Sequence, residues 1–219
     1  MQGEKSLSVY RTVERESEIE LVIKRSRFIG RCFPVSSEPE ALSTLERVRK
    51  QNRDASHNCF AYVIGERGAF ARFSDDGEPG GTAGMPMMET LKSIGAVDVL
   101  CIVTRYFGGI LLGSGGLVRA YSGACSEAVK AANIVEMRPC VHYGFEVDYP
   151  KWGMLQSLLS RYGSIDSVEY SDRVRCAVWV PNVRSTEFIA ELTERSDGKI
   201  SAQYLGQERF PCEPEGDNK

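Results

Sequence analysis

The spacing of apolar positions changes several times along the chain, and each change marks an element. Residues 18–24 and 27–35 mix β-branched and aromatic side chains with charges, which predicts two short strands. Ser37-Glu38-Pro39-Glu40 has the form of a capping box with proline in the first turn. Leu42, Leu45 and Val48 follow at helical spacing, so a helix is expected to about Asn52. Residues 59–64 and 69–73 predict a hairpin around Gly65 and Gly68, and Met87, Leu91 and Ile94 mark one face of a short helix. Residues 97–103 form an unbroken apolar run apart from Asp98, the pattern of a strand covered on both faces. Leu117, Tyr121, Ala124 and Ala128 recur at i, i+4, i+7 and i+11, a clear amphipathic helix. Its small residues, Ala120, Gly123, Ala124 and Ala128, suit close packing on a sheet.

The pattern resets around 136–140. Val141, Tyr143, Phe145 and Val147 alternate as in a half-buried strand; Leu155, Leu158, Leu159 and Tyr162 read as a helix. Residues 168–170 and 174–180 predict a hairpin around Ser171 and Asp172, then a helix through Phe188, Ile189 and Leu192, then a last strand at 199–205. The order β-α-β-β-α-β is that of a ferredoxin-like sandwich. The expected organisation is therefore α+β: a loosely ordered start (1–16), a first domain (17–137), a ferredoxin-like domain (138–212) and a solvated tail (213–219).

Composition narrows the function. Of the 219 residues 42% are hydrophobic and 26% charged, ordinary for a folded chain. A net charge of −3 argues against broad electrostatic adhesion to nucleic acid, and no DNA partner is expected. Charge is uneven, however: 18 basic and 17 acidic residues lie up to Pro139, against 9 and 13 beyond it, so a polyanion contact belongs to the first part. The seven cysteines include no C-x-x-C pair, and Cys59, Cys101, Cys125 and Cys176 sit in apolar runs. Buried thiols in a reducing compartment are expected rather than a zinc site. With a polar N-terminus and no apolar run of about 20 residues, a cytoplasmic protein without membrane contact is expected.

About half of the glycines fall between Ser74 and Gly123, in two runs that each open onto a helix: Gly77, Gly80, Gly81 and Gly84, then Gly108, Gly109, Gly113, Gly115 and Gly116. A helix N-terminus presents unpaired N–H groups and the positive end of the dipole, a recipe for holding an anion. Tight turns that bring helices close to a sheet explain the same glycines without a ligand. Polar residues expected to converge there are His57, Asp75, Asp76, Glu78, Thr82, Arg105, Tyr106 and Arg119. The acids suit a hard cation by type but lack the EF-hand spacing, and Asp-Gly sequences are also ordinary turn formers, so no metal site is assigned. No G-x-S-x-G elbow accompanies His57, which reads as a buried hydrogen-bond donor, and no catalytic residue is named. His142 reads as exposed. The second run is neither a Rossmann fingerprint, since Val118 replaces the third glycine, nor a Walker A loop. Its Leu112-Gly113-Ser114 resembles the phosphate loop of galactokinase-type small-molecule kinases.

Two long segments are more specific. Residues from Phe73 through Pro86, and Thr104-Arg105-Tyr106-Phe107-Gly108-Gly109 continuing to Leu117-Val118-Arg119-Ala120-Tyr121, resemble the signature of the IMPACT family, bacterial YigZ branch. Ser26-Arg27-Phe28-Ile29 and Ala55-Ser56-His57-Asn58-Cys59 fit it too. The resemblance spans about 15–137, and the remainder is similar to the ferredoxin-like domain of bacterial members. It implies a first domain with the fold of the second domain of ribosomal protein S5, shared with elongation factor G domain IV. The pair of domains is similar to elongation factor G domains IV and V, which engage the ribosome and transfer RNA, and eukaryotic relatives regulate translation in amino-acid starvation; no cofactor is expected. Met85 and Leu111 stand where some members have lysine, which weakens the case for a strongly basic face.

The leading expectation is a non-enzymatic translation-associated regulator that binds RNA or the ribosome, or a regulatory protein partner, in stress or starvation. The alternative is a phosphate- or nucleotide-binding enzyme using the glycine loops with Asp75, Asp76 and Glu78. A third is a protein-binding module that pairs through a sheet edge.

Overall fold

A computed structural model of the chain describes residues 8–214. It divides into two compact units, one formed by Tyr10–Glu136 and the other by Met137–Cys212. The polypeptide is α+β in both.

In the first unit β2 (Ser17–Ile23), β3 (Ser26–Pro34), β4 (His57–Ile64), β5 (Phe70–Ser74) and β6 (Val99–Tyr106) build one antiparallel sheet in the order β2-β3-β6-β4-β5. The unbroken apolar run predicts the central strand correctly: seven of the eight β6 residues are buried. Helix α1 (Glu38–Gln51) covers one face, where Leu45 and Val48 pack with Tyr62, Leu100 and Ile102. Helices α2 (Gly84–Ile94) and α3 (Ser114–Ala131) cover the other, with Met87, Leu91, Tyr121 and Ala124 against Phe28, Cys59, Cys101 and Val103. These two faces determine which side chains meet, because successive strand residues point to opposite sides.

In the second unit β7 (Ile134–Val147), α4 (Tyr149–Tyr162), β8 (Ser164–Tyr170), β9 (Val174–Pro181), α5 (Asn182–Arg195) and β10 (Gln203–Cys212) give the ferredoxin-like strand order β10-β7-β9-β8. Leu155, Leu158, Phe188 and Leu192 form its core with Val174, Val178 and Val180.

Several expectations need correction. Residues 10–13, within the start expected to be loosely ordered, form strand β1 (Tyr10–Val13), which pairs with β7 and is tied down by Arg11 Nε on Glu136 Oε1 at 3.2 Å. Residues 1–7, and 215–219 of the tail, lie outside the described residues. The capping box is not made: Ser37 occupies the N-cap position without a side-chain bond, and the Glu40 carboxylate accepts from Ser36 N–H at 2.7 Å instead. His142 is not exposed but stacks on Trp179, ring centroids 4.0 Å apart, since β7 buries part of both its faces. The cysteines are free thiols, six buried and Cys212 half-buried. Among the described residues no helix is long and apolar enough to cross a membrane.

Candidate functional site

The first glycine segment closes on itself. Its turn requires left-handed backbone at Asp76 (φ 44°) and Gly77 (φ 86°), which swings Asp75 under the start of α2. Asp75 Oδ1 accepts from the N–H groups of Ala83 (3.0 Å) and Gly84 (2.8 Å), and Oδ2 accepts from Gly81 N–H (2.9 Å). The carboxylate thus occupies the position where an external anion would sit on this helix. Thr82 turns inward to bond Pro79 O, and Gly80 and Gly81 lie at the surface.

The three acids of this segment diverge. Asp76 Oδ1 takes Arg49 at 2.8 Å and its Oδ2 takes Asn58 N–H at 2.7 Å. Glu78, only 7% exposed, accepts from Arg105 Nη1 and Tyr121 Oη, both at 2.7 Å. Burial, with Cys59 and Glu78 alongside, raises the Tyr121 pKa; burial also pushes the Cys59 thiol up to about 12. Among the described residues no three His, Cys, Asp or Glu side chains form a group that could hold a metal ion.

Arg105, one of the polar residues expected to converge here, is 5% exposed. Its guanidinium carbon lies 5.4 Å from the ring centroids of both Phe28 and Phe107, and its Nη2 is 3.4 Å from Ser26 Oγ. Its Nε–H is buried with no hydrogen-bond partner. His57 Nδ1 lies 2.8 Å from Asp76 O. A carbonyl only accepts, so Nδ1 carries the proton and Nε2 is left toward Glu78 Oε1, 3.8 Å away.

The second glycine segment stays open. Phe107 N–H bonds Ser56 Oγ (3.1 Å) and Gly108 N–H bonds Ser26 Oγ (3.2 Å). Gly113 (φ 73°) turns the chain into α3 with no side-chain cap, so the first-turn amides of Ser114, Gly115 and Gly116 have no carbonyl to bond within the helix. Phe107, Ile110 and Leu111 are exposed beside it, Leu111 at 81%.

Both segments border one cavity of about 430 Å³, with His57, Glu78 and Arg105 at one side and Phe107, Leu112 and Leu117 among its apolar walls. The sequence-predicted residues therefore separate into groups. His57, Glu78, Arg105 and Gly113 line the cavity; Asp75, Asp76, Thr82, Gly80 and Gly81 belong to the closed turn. Tyr106 points to the α1 side, where its hydroxyl donates to Asn52 Oδ1 at 3.0 Å, because it follows Arg105 along a strand. Arg119 is exposed on α3. Among the cavity residues not named as candidates, Phe107 and Leu117 gave no chemical signal because they are apolar, while Leu112 and Ser114 were marked only by the resemblance of Leu112-Gly113-Ser114 to a phosphate loop. Tyr121 read as core and is also the hydroxyl partner of Glu78.

A further feature escaped the sequence. β2 and β3 join through a two-residue turn, Lys24-Arg25, with both residues at positive φ (46° and 64°). Such turns favour Asn-Gly, and a side chain there is strained. Gly108 packs directly on this turn: a Cβ on it would collide with the Arg25 carbonyl.

A larger depression of about 670 Å³ lies on the second unit's sheet, but its cations are paired. Arg173 contacts Glu146 (2.8 Å) and Asp148 (3.0 Å), and Arg175 contacts Glu146 (3.3 Å).

Comparison with known proteins agrees with this architecture. The Impact N-terminal domain model matches residues 24–129, and a domain of unknown function (DUF1949) matches 145–199. IMPACT family member YvyE of Bacillus subtilis is 40% identical over 194 residues, covering 88% of this chain and 89% of that protein. The chain belongs to the IMPACT family. IMPACT family member YigZ of Escherichia coli is 36% identical over 81% of this chain and 89% of its own length. A solved crystal structure described as a hypothetical protein, 32% identical, superposes with a TM-score of 0.56 over 91% of this chain and 98% of that one. Protein IMPACT of Xenopus laevis matches at 37% identity over 95 residues, which is 30% of its length.

Proposed function

We propose that this IMPACT family member is a translation-associated regulator that acts without catalysis and binds single-stranded RNA through the first unit. The observation that carries this reading is the strained Lys24-Arg25 turn lying against the second glycine segment. Placing two cations at positive φ costs roughly 1–2 kcal/mol per residue, and strain of that kind persists where it serves a task. Phe107, half exposed beside the same turn, offers a ring on which a base can stack, and the open start of α3 favours phosphate. The first unit's near-neutral balance makes this a local contact rather than a broad basic field.

Fluorescence anisotropy with short single-stranded RNA tests the reading. Binding is expected to fall steeply with salt, and Phe107→Ala to weaken it by about 1–3 kcal/mol. Replacing the turn by Asn-Gly (Lys24→Asn with Arg25→Gly) is expected to raise stability by about 1–2 kcal/mol while reducing affinity and flattening the salt slope. No binding at low salt, or affinity unchanged in the turn variant, would overturn the proposal.

A further inference from the structure

We infer that the 430 Å³ cavity between the two glycine segments is a separate site for a small organic anion: an apolar body carrying one terminal oxyanion, phosphate or carboxylate. The volume falls in the range of small-molecule sites, and most of the wall is apolar with a few convergent polar groups, the usual make-up of such a site. Three observations orient the guest. The α3 start at Gly113 and Ser114 forms part of the wall and has no side-chain cap, so its amides are available to the oxyanion. Arg105 also lines the cavity, 95% buried by its 5% exposure, and its Nε–H has no acceptor within the protein. Buried donors are nearly always satisfied, so an orphan beside a cavity points to a missing acceptor. His57 Nε2 and the Glu78 carboxylate, which accept hydrogen bonds, stand at the same side and suit a donor on the guest's body.

Charge decides in favour of an anion. Glu78 is matched by Arg105 at 2.7 Å, so the pair is close to neutral and the helix end sets the sign. The closed α2 start shows what such an amide cluster binds in this molecule, since a carboxylate fills it. This inference shares Phe107 and the α3 start with the RNA reading but does not rest on it: it needs the cavity interior, whereas that reading needs the outer Lys24-Arg25 turn, which does not line the cavity.

The test is an amide-resolved NMR titration of the full chain with two matched pairs, AMP against adenosine and 3-phenylpropionate against 3-phenylpropionamide, with inorganic phosphate as a control. At least one anion is expected to shift the Ser114, Gly115 and Gly116 amides saturably, while its neutral counterpart and inorganic phosphate leave them unmoved. A response to AMP alone identifies phosphate, and to 3-phenylpropionate alone carboxylate. Ser114→Pro removes one amide at a helix position that tolerates proline and is expected to weaken binding about tenfold at unchanged Tm. Ser114→Ala keeps the amide and is expected to bind as the parent does, which holds the test open if the proline variant fails to fold. The inference is overturned if neither anion shifts these amides at roughly 5 mM, if the neutral partners shift them equally, or if Ser114→Ala alone abolishes binding. RNA anisotropy measured on the same sample is read independently, so either proposal can fail while the other stands.

Discussion

Helices α2 and α3 start from similar glycine-rich sequence on the same face of the same sheet, yet their N-termini differ in state. At α2 the chain supplies its own anion: the Asp75 carboxylate accepts from Gly81, Ala83 and Gly84 and takes the place of a guest. At α3 the N-cap is Gly113, which has no side chain to accept, and Gly113 and Ser114 line a cavity. The difference teaches that a glycine run before a helix encodes an anion-binding backbone without encoding whose anion it is. One acidic residue placed to fold back converts a binding site into a structural cap.

The comparison can be broken most forcefully at the wall the two segments share. Glu78→Ala would leave the buried Arg105 guanidinium without its carboxylate and Tyr121 without its acceptor. A loss of about 3–5 kcal/mol is expected by urea denaturation, far more than a surface ion pair contributes. Asp75→Ala tests the cap itself. Removing the acceptor for three amides is expected to cost about 2 kcal/mol, and inorganic phosphate should restore part of it in the variant while leaving the parent unaffected. A variant as stable as the parent would show that the α2 cap contributes nothing. The smallest effects sharpen the contrast through the glycines. Gly84→Ala would press a Cβ to 2.7 Å from the Ser74 backbone, and a loss of about 1–3 kcal/mol in thermal unfolding is expected. Gly115→Ala puts its Cβ into open space at the start of α3 and is expected to gain about 0.5–1 kcal/mol, the ordinary benefit of alanine over glycine in a helix.

The order of elements was legible because each depends on local periodicity. β6 appeared as an apolar run and α3 as a stripe through Leu117, Tyr121 and Ala124. The candidate site was legible in part. Composition singled out both glycine runs and the polar residues His57, Glu78 and Arg105, which the fold brings to one cavity. It could not separate Arg105 from Tyr106, adjacent in sequence, because that depends on which face of β6 each occupies. Nor could it tell Asp75 from Asp76 and Glu78. One caps a helix six to nine residues ahead, one holds Arg49 across the unit, and one is buried under Tyr121. Strands expected at 18–24 and 27–35 made a short connection legible there, but not its left-handed backbone, because Lys24 and Arg25 are the wrong residues for it.

Sequence alone determined the alternation of strands and helices, the α+β class and the presence of two glycine-rich backbone segments, since all three are properties of short stretches of chain. Whether those segments face a common recess, which of their amides are already occupied, and which cation is buried beside them were decided by tertiary structure. Each depends on residues far apart in sequence meeting at one end of a five-stranded sheet, and no local pattern records where a side chain's partner will come from.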